Sequence, residues 1–173
     1  MSAYLITGFS GSGKSTVAHE LARMGYAAYD TDDMRDITRH FDMELGRYMN
    51  EAPPAPIDYY RYSWMWDVPA LKALINQPAP VFIAAITSNT EENLHLFDQV
   101  FYLDADWHTL EHRLLTRTTN DFGKHPDELA DLKKDFPKGR EFWLNKSTVI
   151  DSTQPVALIA KDILAHAKNE SVA

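Results

Sequence analysis

Gly8-Phe9-Ser10-Gly11-Ser12-Gly13-Lys14-Ser15 places three glycines, a lysine and three hydroxyls within eight residues, in the spacing GxxxxGK[ST]. Glycines let a backbone take positive φ and come close to a ligand, and the N–H groups of such a loop can point inward around a phosphate chain. A helix that starts at the end of the loop adds its positive N-terminal dipole. The chemistry expected is therefore triphosphate binding. Gly8, Ser10, Gly11, Ser12, Gly13, Lys14, Ser15 and Thr16 line the phosphates. Lys14 bridges the β- and γ-phosphates, and the Ser15 hydroxyl holds Mg²⁺, so the implied nucleotide is Mg·ATP. The competing reading is an ordinary Gly/Ser turn before a helix. The flanks oppose it, because an apolar run, Tyr4-Leu5-Ile6-Thr7, precedes the loop and a helical stretch follows it.

Two further groups of residues could do chemistry. Asp30 and Asp32 lie two apart and share a side if the backbone there is extended. The alternative is that Asp30–Asp33 cap a following helix, with Asp33 the cap. Arg113 and Arg117 lie four apart on one helix face, where they could stabilise charge on a transferring phosphate. Their alternative is a solvated basic face paired with Glu111 or Asp106. Lys124 is a weaker phosphate candidate, and Arg140 reads as solvated helix surface. Asp104 reads as a structural cap shared with Asp106. Tyr59 to Trp66 packs five aromatics around Arg61, either as a pocket for a planar ring or as core. Arg61 and Arg39 are weak candidates for an anionic acceptor group. The histidines show no metal-ligand spacing.

The elements that must position these groups alternate. Strands are expected near Tyr4–Thr7, Tyr26–Tyr29, Val81–Ile86, Val100–Leu103 and Thr148–Ile150. Helices are expected from Gly13 to Met24, Trp107 to Arg117, Asp127 to Asn145 and Pro155 to Lys168. The continuous apolar run at 81–86 suits a strand buried on both faces of a parallel sheet. The alternation implies an α/β fold with the ligand at the carboxyl ends of the strands. A single domain covers 1–173. Residues 33–77 read as a helical substrate-binding region interrupted by the proline-rich stretch 51–58, and residues 118–126 read as a polar lid.

The chain has 173 residues, a net charge of −8 and no cysteine. A single domain fits that length. The acidic balance argues against nucleic acid as partner, since phosphate backbones need clustered Lys and Arg. The cysteine count excludes disulfides and thiolate chemistry. No apolar run reaches membrane-spanning length, so no membrane partner and a cytoplasmic location are expected.

On the phosphate loop, Asp30-Thr31-Asp32, Leu103-Asp104 with the helix ending at Arg117, and Val149–Pro155, the chain resembles the small P-loop kinases: shikimate kinase, gluconate kinase and the adenylate kinase-like nucleoside and nucleotide kinases. The resemblance implies a P-loop three-layer sandwich with a five-stranded parallel sheet in the order 2-3-1-4-5, a substrate-binding insert and a lid. It implies that Asp30 holds Mg²⁺ and that Asp32 orients or deprotonates an acceptor hydroxyl. It also makes Arg113 and Arg117 lid arginines. A glycine triplet found after the third strand in shikimate kinase is replaced here by Ala84-Ala85-Ile86-Thr87-Ser88-Asn89. The function expected is transfer of the ATP γ-phosphate to a small molecule, first a nucleoside or nucleotide, next a sugar acid, shikimate-like or antibiotic hydroxyl. An NTP-hydrolysing switch or a nucleotide-binding regulatory protein is the reading from another class. The protein is expected to act as a monomer or homodimer.

Overall fold

The computed structural model describes residues 2–54 and 57–169. Five strands form one parallel sheet: β1 (Ala3–Thr7), β2 (Ala27–Asp30), β6 (Val81–Ala84), β7 (Gln99–Asp104) and β8 (Thr148–Asp151). Their spatial order is β2-β6-β1-β7-β8. Counted within this sheet alone, that is the expected 2-3-1-4-5. β1 is central, with Leu5 opposite Ile83 on one side and Val100 on the other.

Alternating side chains of the strands feed two cores. Tyr4, Ile6, Phe82 and Phe101 pack against α1 (Lys14–Arg23) and α5 (Val156–Asn169). Ala3, Leu5, Ile83 and Tyr102 pack on the other face with Leu71 of α2 (Val68–Ile75) and Trp143 of α4 (Pro126–Lys146). Fully covered strands on both faces explain why 81–84 is apolar without alternation. α1 ends at Gly25, whose φ of 93° lets its N–H reach the Ala22 carbonyl at 3.0 Å. α3 (Trp107–Thr116) follows β7.

The region 33–77 is not the expected helical insert. Only α2 and a short 3₁₀ turn at Thr31–Asp33 are helical there. The rest is a second, antiparallel sheet of β3 (Thr38–Asp42), β4 (Arg47–Tyr48) and β5 (Tyr62–Trp66), in the order β4-β3-β5. β3 pairs with β5 residue by residue, His40 opposite Trp64 and Thr38 opposite Trp66. Aromatics fit a pleated, half-buried surface better than a helix, and the partner strand lies some twenty residues away, beyond any local periodicity. Of the proline-rich stretch 51–58, Ala55 and Pro56 lie outside the described residues.

Candidate active site

The loop 8–13 leaves β1 and turns directly into α1. Gly8 has no room for a side chain: a Cβ there would lie 2.9 Å from the Leu103 carbonyl and 2.5 Å from the Ser12 hydroxyl. Gly13, at φ 97°, is the residue from which α1 starts, in a left-handed conformation that side chains strain to adopt. The Ser15 and Thr16 side chains at the first turn are exposed, while Gly8 and Ser12 are buried. Lys14 donates from Nζ to the carbonyls of Gly8 at 2.9 Å and Phe9 at 3.3 Å. Burial lowers its pKa; Asp32 and Asp30 pull it back up, and Arg117 opposes them. Asp30, Asp32 and Arg117 are thus near enough to act on Lys14 electrostatically, although among the described residues no carboxylate lies within ion-pair distance of it.

Strand geometry does not continue past Asp30. β2 ends there, and Asp30 Oδ1 accepts from Asp32 N at 3.1 Å to cap the 3₁₀ turn. Asp30, not Asp33, is thus the cap. Asp32 is open to solvent yet ringed by protein atoms, as in a cleft, and this burial pushes its pKa up; a hydrogen bond from Trp64 and the charge of Lys14 push it down, and Asp30 and Asp33 push it up again. Trp64 Nε1 donates to Asp32 Oδ1 at 2.9 Å, and Trp66 Nε1 donates to Thr31 Oγ1 at 3.0 Å. Two residues apart on β5, both rings reach the same segment. The second sheet therefore holds the end of β2 in place.

β5 is itself held from behind. The Asn89 amide accepts from Trp66 N and donates to Trp66 O, both at 3.0 Å, and Ser88 N donates to Trp64 O at 2.8 Å. Thr87 Oγ1 donates to Asn89 Oδ1 at 2.9 Å. The segment that replaces a glycine triplet thus continues the edge of the second sheet.

The arginines of α3 separate. Arg117 caps the helix and donates to the carbonyl of Phe122 in the 118–125 loop, on the Lys14 side. Arg113 instead ties two loops together, donating to Ser152 O at 2.8 Å, to Ser152 Oγ at 3.4 Å and to Ser12 O at 3.5 Å. Neither pairs with Glu111 or Asp106. Lys124 pairs with Asp121 in the lid loop. Arg140 is not solvated surface: its guanidinium makes two 2.7 Å bonds to Asp104 at the end of β7. Asp104 consequently does not cap α3, which Asp106 does alone through Thr109 N at 2.7 Å. Phe9 packs edge-on against Phe136 at 5.4 Å, so α4 leans on the phosphate loop.

Trp66 and Tyr62 are core, Trp64 touches the candidate carboxylate, and Tyr60 is 99% exposed, so the aromatic run divides between the two earlier readings. Tyr59 bridges to the lid, with its hydroxyl 3.2 Å from Glu128 and its ring against Phe122. Two shallow cavities, about 340 and 350 Å³, lie elsewhere, at Leu94–Thr148 and along Phe136–Asn145.

Sequence reasoning offered Trp64 and Trp66 as part of an aromatic pocket or core without linking them to Asp32, and it missed Thr31 and Asn89 as supports of that segment. The Trp-x-Trp spacing carried the available signal, since alternation puts both rings on one strand face. Ser15, Asp30 and Asp32 offer only oxygen donors, which suit Mg²⁺ held partly by phosphate and water. Among the described residues no cluster of three His, Asp or Glu forms a closed metal site, and no helix is long and apolar enough to cross a membrane.

The sequence matches the AAA domain family over residues 5–133. No curated protein matches it. Among solved structures it is similar to a gluconokinase from Sinorhizobium meliloti 1021 (20% identity, TM-score 0.54, 97% of this chain and 92% of that one). It is also similar to shikimate kinase from Aquifex aeolicus (19%, 0.58, 100% and 99%) and to deoxyadenosine kinase from M. mycoides (14%, 0.53, 96% and 99%). At these identities the likeness establishes a shared fold, the P-loop kinase sandwich.

Proposed function

Because the chain belongs to the AAA domain family, we propose that its phosphate loop serves an ATP- and Mg²⁺-dependent kinase that phosphorylates a hydroxyl of a small molecule, a nucleoside or nucleotide first. The observation that supports this reading is Asp32 held by the Trp64 indole N–H at 2.9 Å in the field of the phosphate-loop lysine. A nucleotide switch has no use for Asp32 held by Trp64 beside that lysine. A kinase needs a base or orienting group for the acceptor hydroxyl there.

In this reading the loop amides and Lys14 bind the triphosphate, and Arg117 neutralises charge that develops during transfer. Asp32 accepts the proton of the acceptor hydroxyl. Arg113 positions the phosphate loop against the loop after β8, which would flank the base. Magnesium, when bound, supplies charge neutralisation of the phosphates; Ser15 and Asp30 would hold it. The loop 118–125, pinned to Tyr59 through Phe122 and Glu128, excludes water from the cleft when closed.

The test is ADP release from Mg·ATP against a panel of nucleosides, nucleotides, sugar acids and hydroxylated antibiotics, with Lys14→Ala as control. Stimulation by one acceptor class, absent in the variant, is expected. Slow hydrolysis that no acceptor stimulates favours the hydrolase or switch reading.

A further inference from the structure

The two arginines of the second sheet that flank the aromatic wall, Arg39 and Arg61, are both tied to carboxylates. The positive charge that acts most on Asp32 is Lys14, which belongs to the phosphate loop. On β3 and β5, alternation puts His40 and Trp64 on one face and Arg39 and Met65 on the other. Arg39 thus lies across the sheet from the carboxylate. It bonds Asp67 at 2.8 Å and sits 4.8 Å over the Tyr48 ring. Arg61 is held by Asp42 at 2.9 Å and Glu44 at 2.6 Å. Asp42 is 3% exposed and also caps its own turn through Glu44 N and Leu45 N. Drawing Arg61 toward a ligand would strand that buried carboxylate, which is strongly unfavourable. Arg35, nearest in sequence, is exposed to solvent, which screens its charge.

Three cations beyond the insert are engaged too. Arg113 holds Ser152, Arg140 holds Asp104, and Lys124 holds Asp121. The segment 30–67 carries nine carboxylates against four arginines, so its field repels anions. What the wall does offer is flat and neutral. The Trp64 indole has the His40 ring edge-on at 4.8 Å, and burial lowers the pKa of His40, which keeps it uncharged at neutral pH. Stacking on an indole suits a planar ring.

Resting on the phosphotransfer reading above, we propose that the acceptor is an uncharged hydroxyl compound carrying a flat ring, of the nucleoside kind, and that phosphomonoesters and carboxylic acids are rejected at this wall. Specificity of this sort comes from what a site lacks: an anion brought into an acidic cleft without a partner loses its solvation and gains repulsion.

The experiment measures kcat/KM of the full chain with Mg·ATP for matched acceptors: adenosine with AMP, deoxyadenosine with dAMP, and gluconate and shikimate as acids. Binding of a fluorescent ATP analogue is read separately. Each nucleoside is expected to exceed its own monophosphate, and both acids, by at least about tenfold. A monophosphate or acid that matches or beats the nucleosides overturns the inference while leaving the kinase reading intact. Analogue binding with no turnover of any acceptor overturns the kinase reading and this inference with it. The variant H40K, checked for folding by circular dichroism, is expected to shift the ratio toward the monophosphate by about tenfold. An unchanged ratio in folded H40K would mean that this wall does not read acceptor charge.

Discussion

The two halves of the cleft are built in opposite ways. The phosphate half is one short, contiguous piece of chain: β1, the loop 8–13 and the first turn of α1, with Lys14 bonded to carbonyls five and six residues before it. The acceptor half is assembled from distant pieces. Asp32 is held by Trp64, thirty-two residues on, and β5 is held by Asn89, another twenty-three beyond Trp66. A contiguous device can be rigid alone. An assembled one depends on every strand that supports it, and it can change its ligand without disturbing the nucleotide. Variants in the first half should therefore abolish transfer to every acceptor alike. Variants in the second should change acceptor choice and stability.

The largest effect expected lies where the halves meet. Asp32→Asn keeps an acceptor for the Trp64 N–H but removes the base, so kcat should fall about 10²–10⁴-fold with ATP binding intact. In the wild type, kcat/KM should fall on acidification as Asp32 protonates, with a midpoint above the usual carboxylate range because burial raises its pKa. That limb should vanish in Asp32→Asn. The sign for stability is opposite. A raised folded-state pKa means that the fold favours the protonated acid; this contribution is fully present below the unfolded-state pKa and is lost as pH rises through the folded-state one. Asp32→Asn should therefore raise Tm near neutral pH. A drop in Tm together with lost activity would make Asp32 a structural residue and dissolve the contrast between the halves.

Asn89→Ala tests the assembled half at its far end. It leaves the buried N–H of Trp66 without its Asn89 partner, while Trp66 O keeps the Tyr48 hydroxyl, which should cost roughly 1–2 kcal/mol in denaturant unfolding. Because Asn89 touches neither Lys14 nor Asp32, the loss of activity should show mainly as a raised acceptor KM, with ATP affinity unchanged. Equal losses in ATP and acceptor affinity would mean that the halves are not separable.

Arg140→Ala probes the support behind the phosphate half. The Asp104 pair is bidentate but the arginine side chain is 40% exposed, so solvent screens it. A loss of about 1 kcal/mol in unfolding free energy is expected, with kcat nearly unchanged.

The same contrast decides what the sequence could reveal. The phosphate loop and the five parallel strands were legible because motif, apolar runs and caps are local signals; the strand order came only from the resemblance to small P-loop kinases. Lys14, Asp30, Asp32 and Arg117 were marked as site residues because each stands in or beside a local motif. The second sheet was not legible. Tyr62 to Trp66 holds its strand only through partners at Thr38–Asp42, and nothing within a helical or strand window distinguishes it from an aromatic helix face. Arg39, Arg61 and Arg140 read as available cations because their carboxylate partners lie 28, 19 and 36 residues away. Charge availability is a tertiary property, and in this cleft it is what separates a binding arginine from a structural one.

The smallest effect is expected at Tyr60, and its smallness is informative. Its neighbours Tyr59 and Tyr62 are engaged, one with the lid and one in the core, whereas Tyr60 is 99% exposed. Tyr60→Ser should leave unfolding free energy within about 0.5 kcal/mol and leave kcat/KM unchanged for every acceptor. If instead it raises acceptor KM, the aromatic run extends the binding wall past Trp64 and the acceptor reaches out along the groove. The acceptor half would then include residues that only the bound ligand orders, and its specificity would not be fixed by the packed sheet alone.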